Sequence, residues 1–424
     1  MTEYKGIEYL KEKLRRKRIR VRRRYDYYEM KNMVFDFGIS TPPDLRYWMG
    51  TLGWCARAVD SLADRLVFRE FGSDIYGMNE IFEQNNKDIL IDSAILGALI
   101  GSCDFIYITT DDNGFPRLKV VDGLHATGVI DPVTNMLQEG YAILEWDEYD
   151  KPILEVYMIP GYTEIRQDGR VVDVIQNSAP YPLLVPIINK PDAKRPFGHS
   201  RISRACMSIV GSAVRTVKRS EIASEFYSYP QKYVLGMDPS AAQMDKWQAT
   251  MSSLLRIDKD DMGDVPKLGQ FQQQSMSPHT EQLRMFASLF AGETGLTLDD
   301  LGFPSDNPSS ADSIKASHES LRLIARKAQR DFGVGLKNAG YLAACVRDNT
   351  KYERQLVAGV TAKWEPIFEP DGSALSVIGD GAIKINQAVA GYFDKETLRD
   401  LTGIEAASEN PGGIVLPEDF PLEV

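Results

Sequence analysis

Apolar residues recur at steps of three, four and seven from Ile314 through Leu321, Ile324, Ala328, Phe332, Leu336, Ala339 and Leu342. That spacing puts one apolar face on a helix. Ser309 stands three residues before Asp312, the acidic form of a capping box, so a helix is predicted from there to about Asn349. Some 38 residues would give roughly 57 Å of helix. Gly333, Gly335 and Gly340 fall inside it, each costing about 1 kcal/mol relative to Ala. The helix is therefore expected to bend there or to meet another backbone closely. A polar, turn-rich loop, Leu298 to Pro308, leads into it.

The same period gives other helices. Between Tyr25 and Phe71 the pattern is helical, interrupted by Pro42 and Pro43, and Trp54, Ala58, Leu62 and Leu66 share a face. Asp92 to Gly101 continues it. The period then becomes two. Strands are predicted around Phe105–Thr109, Leu118–Val121, Tyr141–Trp146, Ile153–Ile159 and Val171–Ile175, separated by Asp/Gly/Pro turns. This is an α+β pattern on an antiparallel sheet. Pro180 to Pro196 reads as extended. A second long helix, Ser200 to Tyr227, would span roughly 42 Å. Projected from Arg201 at 100° per residue, Arg201, Arg204, Arg215, Lys218 and Arg219 gather on one face and Ile202, Cys206, Val210, Ala213 and Val214 on the other. A compact insert from Gln231 to Met276 opens with a strand, Lys232–Leu235. It continues with a helix around Trp247 and an acidic loop, Asp258 to Asp264. Pro278 sits near the start of a third helix, which runs to Gly292 or Gly295. An extended Val360–Phe368 and two short helices between Ser373 and Ile404 follow.

Composition is that of an ordinary globular protein, with 43% hydrophobic and 26% charged residues over 424 positions, and the length suggests roughly three domains. Residues 1–24 carry eleven Lys/Arg and three Glu, so the rest of the chain brings the net charge to −11 with −19 of its own. The basic arm, Lys11 to Arg24, could touch nucleic acid, pair with an acidic neighbouring subunit, or stay solvated. From Glu405 onward there are five acids and no bases, a composition that predicts no fixed structure of its own. Cys55, Cys103, Cys206 and Cys345 form no CxxC pair and read as reduced, buried thiols of a cytosolic setting. The charged N-terminus reads as no signal peptide. Asp92 and Asp104 interrupt the most apolar run, Ile89 to Ile108, so no membrane span is expected.

Chemistry is sparse. There is no GxxxxGK[ST], no HExxH and no GxSxG, and the four histidines, His125, His199, His279 and His318, share no metal-ligand spacing. Asp299 and Asp300 are adjacent carboxylates, better read as a solvated loop than as a metal or acid/base pair. Residue by residue, the reading is a helix-rich binding or structural protein without cofactor, metal or catalytic residues.

The order of elements resembles the portal proteins of tailed bacteriophages. Several stretches carry the likeness: Tyr25-Asp26-Tyr27-Tyr28 after the basic arm; Val59 to Leu66; Val185 to Pro191 followed by Gly198-His199-Ser200-Arg201-Ile202; Pro230 to Gly236; and, most specific, Gly292 to Leu296 through Leu301-Gly302-Phe303 and Asn307 to Ile314. The resemblance implies a portal-type fold: an α/β wing at 35–199 behind a basic arm at 1–34, and stem helices at 200–228 and 277–296 around a small α/β clip at 229–276. A tunnel loop at 297–309 would lead into a long bent spine helix at 310–349. A wing return strand at 350–372, a small helical crown at 373–404 and the acidic tail at 405–424 would complete it. It also implies a homo-oligomer, twelve subunits in a ring at one capsid vertex of the virion, assembled in the host cytoplasm. Double-stranded DNA would pass through it in packaging and ejection, and the ATPase would belong to the terminase.

On that reading Leu298, Asp299, Asp300, Leu301, Phe303 and Asp306 project into the channel. Lys232, Trp247, Asp258, Asp260 and Asp261 lie where the terminase large subunit and the neck or adaptor proteins dock, and major capsid or scaffold protein surrounds the ring. The five bases from Arg201 to Arg219 would touch phosphate, form inter-subunit ion pairs, or be solvated. A nucleic-acid-processing enzyme, or another neck or minor capsid protein, is the alternative.

Overall fold

The computed structural model describes residues 4–35, 50–149, 151–228, 232–235, 267–270, 275–304, 316–368, 370 and 372–404. The chain divides into two compact units, one made of Met1–Val21, Asp60–Ser200 and Arg322–Val424, the other of Arg22–Val59 and Arg201–Leu321.

The first unit is built on antiparallel sheets. A five-stranded meander runs in sequence order: β4 (Ala126–Ile130), β5 (Leu137–Trp146), β6 (Pro152–Ile159), β7 (Tyr162–Gln167) and β8 (Arg170–Gln176). A second sheet has the order β3-β2-β9, with β2 (Cys103–Thr110) between β3 (Pro116–Val121) and β9 (Leu184–Ile188). Every residue of β9 is buried, so the stretch read only as extended is a core strand. β1 (Phe68–Gly72) pairs with β12 (Thr361–Trp364), a correction to the helical reading of that stretch. Its burial does not alternate, and its partner lies far along the chain. Helices α2 (Trp54–Ala63), α3 (Met78–Glu83) and α4 (Lys87–Gly101) precede the β2 sheet, and α4 packs on it.

The long helix is α7, Glu319–Arg347; its expected cap, Ser309 with Asp312, falls outside the described residues. The glycines do bring backbones together. A methyl on Gly335 would stand 3.1 Å from the Pro186 carbonyl oxygen and 2.8 Å from Ile187 Cδ1. Beyond α7 come α8 (Arg354–Val357), β12, α9 (Gly372–Ala388) and α10 (Lys395–Thr402). The last is capped by Asp394, which accepts the Thr397 N–H.

The basic arm forms α1, Ile7–Tyr28, and its first part is docked on the unit's own sheets. Leu10, Leu14 and Val21 are buried, and Leu10 and Leu14 pack with Tyr141 and Ile143. The Lys5 and Gly6 N–H groups donate to Glu139 at 2.6 and 2.9 Å, and Lys11 meets Glu155 at 2.9 Å. Lys13 donates to the Gly128 carbonyl at 2.6 Å. Lys17 lies over the Phe105 ring, and burial lowers its ammonium pKa. Arg15, Arg16, Arg20, Arg22 and Arg23 remain at the surface.

The second unit is helical. α5 (Arg204–Ser228) and α6 (Ser277–Thr294) pack side by side. Between them in sequence, β10 (Lys232–Leu235) pairs antiparallel with β11 (Lys267–Gln270).

Candidate channel loop and paired helices

The paired helices begin with a cap. Ser203 Oγ accepts the Cys206 N–H at 3.1 Å, so α5 starts one residue later. Arg201 therefore precedes the helix, and the projection that placed it on a basic stripe extrapolated through the cap. Its guanidinium is 7% exposed and donates to the carbonyls of Ala58 and Thr294. Burial lowers its pKa to about 10. The residue joins the middle of α2 and the end of α6 to the start of α5.

The other four bases differ among themselves. Arg204 is exposed, Arg215 is half-buried and donates to Ser212 Oγ at 2.9 Å, Lys218 is buried, and Arg219 is half-buried. Ser203 also donates to Glu293 at 2.7 Å, and Thr216 to Gln282 at 3.0 Å. These pairs run in opposite senses along the two helices, so α5 and α6 are antiparallel. Trp54 packs on Phe290 with ring centroids 5.7 Å apart. Cys55 and Cys206 are buried here, and burial raises both thiol pKa values.

α6 has Pro278 in its first turn and ends at Gly295, φ 70°, whose N–H reaches the Ala291 carbonyl at 2.8 Å. The chain then makes one 3₁₀ turn, Asp299–Leu301. Asp300 holds it: its carboxylate accepts the Thr297 N–H and hydroxyl at 2.9 and 2.8 Å, while its own N–H donates to Thr297 Oγ1 at 3.2 Å. Arg57 and His318 approach the same carboxylate, at 3.7 and 3.9 Å. Leu301 is buried, Leu298 and Phe303 are half-buried, and Asp299 is exposed. Of the two adjacent carboxylates, one is spent on the turn and the other faces outward. Thr297-x-x-Asp300 is itself a capping pattern that sequence reasoning passed over; Arg57 and His318 had no local signal.

Asp306, Trp247, Asp258, Asp260 and Asp261 lie outside the described residues, and of Lys232 only the backbone is described, in β10. Among the described residues, no three His, Cys, Asp or Glu side chains gather to hold a metal ion, and no helix is long and apolar enough to cross a membrane.

Two curated proteins are similar in sequence. The portal protein of Mycobacterium phage L5 is 24% identical over 338 residues, covering 73% of this chain and 67% of the relative. The portal protein of Mycobacterium phage D29 is 23% identical over 410 residues, covering 90% and 82%. The chain is similar to phage portal proteins over most of its length. Both portal relatives carry no other name, and no family model matches the chain. Among solved structures, the virion of a native gene transfer agent particle and the necks of native and empty particles align with 84% of this chain and 90% of theirs. Those alignments have 13% identity and TM-scores of 0.42, 0.43 and 0.44. The portal relationship rests on the sequence relatives.

Proposed function

We propose that copies of this chain, twelve in the virion, close into a ring at one capsid vertex, and that double-stranded DNA passes through its centre in packaging and ejection. The observation that carries this reading is the similarity to a portal protein along 90% of the chain. The antiparallel α5–α6 pair with a strand hairpin between its helices supports it. In this reading residues 35–199 with 350–372 are the wing, α5 and α6 the stem, 229–276 the clip, 297–309 the tunnel loop, 310–349 the spine and 373–404 the crown. The ring assembles in the host cytoplasm and ends in the virion.

DNA carries one negative charge per roughly 1.7 Å of axis, and a few phosphate contacts already bind it strongly. A conduit therefore needs few outward bases. Arg201 is spent on backbone carbonyls. Arg204, the exposed one, is the stem base best placed to meet phosphate or a neighbouring subunit, and Asp299 is the exposed loop carboxylate that would repel phosphate. The clip is the docking face for the terminase large subunit and the neck proteins, and the wing edge meets capsid or scaffold protein. Native mass spectrometry across salt and concentration tests the ring: a closed cyclic species is expected, and monomer alone under every condition refutes it. Terminase pull-down with Asp260→Lys and Asp261→Lys tests the clip; unchanged binding removes that loop from the interface.

A further inference from the structure

The first unit holds a groove of about 630 Å³ between one face of α7 and β12. Arg326, Arg330 and Lys337 line it together with Leu323, Val334 and Trp364. Arg326 and Arg330 are exposed, and Leu323 is 55% exposed, a large apolar side chain left open beside cations. Apart from the attraction between Arg330 and its neighbour Asp331, none of the three bases is paired with a carboxylate of the described residues. β12 has β1 on one side, and no described strand covers its other edge. The groove thus offers cations, apolar surface and an open strand edge together.

α10, the last described helix, is held on the Lys363 side of β12, the strand whose Ala362 and Trp364 line the groove. Lys363 of β12 meets Glu396 of α10 at 3.1 Å, Arg399 meets Glu70 of β1 at 3.6 Å, and Arg69 of β1 pairs with Asp400. α10 ends at Gly403, φ 70°, where an added methyl would stand 3.0 Å from the Pro366 ring. The last described turn, at Gly403, therefore stands next to the segment that follows Trp364. From there the sequence has Glu405, Glu409, Glu418, Asp419 and Glu423, no Lys or Arg, and the apolar residues Ile414-Val415-Leu416, Phe420 and Leu422. Twenty residues can reach about 66 Å when extended. Arg326 and Lys337 are only about 16 Å apart along the helix, so reach does not limit the contact.

We infer that the groove is the docking site of this chain's own C-terminal segment, residues 405–424. Its carboxylates lie against Arg326, Arg330 and Lys337, and its apolar residues against Leu323, Val334 and Trp364. Charge complementarity selects the occupant, and the exit of the chain favours the same copy over a neighbouring one. A tethered segment meets its groove at an effective concentration of about millimolar, so contacts that would be weak between separate molecules suffice. The docked segment covers the open edge of β12, which otherwise could pair with another chain.

Zero-length carbodiimide cross-linking of the full chain, followed by peptide mapping of the monomer band on a denaturing gel, tests this. The expected result is an amide between the Lys337 amine and a carboxylate of residues 405–424. It should fall roughly fivefold in the Arg326→Glu, Arg330→Glu variant, from lost attraction and added repulsion. Three results would overturn the inference: no such cross-link, a cross-link indifferent to the charge reversal, or one found only in the dimer band, which would place a neighbouring copy's segment in the groove. Circular dichroism of the variant, expected unchanged, separates a lost contact from a lost fold.

Discussion

α1 and α5 are two basic helices of similar length, 22 and 25 residues, and they use their bases in opposite ways. Within residues 4–21, the arm turns Lys11, Lys13 and Lys17 inward, onto Glu155, the Gly128 carbonyl and the Phe105 ring. Two buried glutamates on neighbouring strands, Glu139 and Glu155, receive it. Around α5, Arg201 is committed to two backbone carbonyls, Lys218 is buried, and Arg204 stays exposed. A count of basic residues treats the two helices alike. What separates them is whether an acceptor has been folded beneath each base, because a desolvated cation is tolerated only where acceptors replace its water.

The largest test of this contrast is the pair Arg201→Met and Arg204→Met. The first strips charged hydrogen bonds from two carbonyls and should cost about 3 kcal/mol, seen as a clear drop in thermal midpoint. The second should stay within about 0.5 kcal/mol. Equal effects would erase the distinction. Next is Glu139→Ala, which leaves the Lys5 and Gly6 N–H groups and the Tyr157 hydroxyl without their acceptor. About 2 kcal/mol should be lost, with faster hydrogen exchange over residues 7–21. Unchanged exchange there would mean that the arm is held by its apolar face alone.

The same contrast recurs in two adjacent residues of the loop. Asp300→Ala removes the acceptor for Thr297 and should cost about 1 kcal/mol, more than Asp299→Ala at its exposed neighbour. The last test is of pH, at Lys13. Burial lowers its pKa from 10.5 to about 8, so between those values the unfolded chain binds more protons than the folded one. Stability relative to the Lys13→Met variant should then rise as pH climbs from 8 toward 10.5, in paired denaturant titrations. A falling difference would mean that the ammonium is stabilised in place.

Much of the fold was legible because its signals are local. Pro278 and Gly295 bracket α6, the Asp-Gly and Asp-Pro turns separate strands of the meander, and the apolar period of α7 survives three glycines. The glycines read as close approaches, and Gly335 is one. What was missed depends on distant partners. Five residues of β1 carry no period, and their pairing residues lie at Thr361–Trp364. The arm read as available because its acceptors Glu139 and Glu155 lie more than a hundred residues away. At the start of α5, one overlooked cap, Ser203, moved the helix start and with it the meaning of Arg201. Of the loop, the assignment of Asp300 to the turn followed from Thr297, a signal present but unread.

The pairing of β1 with β12 also sets a timetable for synthesis. On a ribosome, Phe68 emerges roughly 300 residues ahead of its partner Trp364. At about 5–20 residues per second, that is a wait of some 15–60 seconds. During it the nascent first unit lacks its closing strand, and by its end every residue of the second unit has been made. The earlier strand therefore spends that interval with unpaired backbone and buried-type aromatics, Phe68 and Phe71, open to other nascent chains. A polysome, where many copies of one chain are made side by side, is where such an edge would find them, which makes the timing of chaperone engagement over residues 68–72 a property written into the topology.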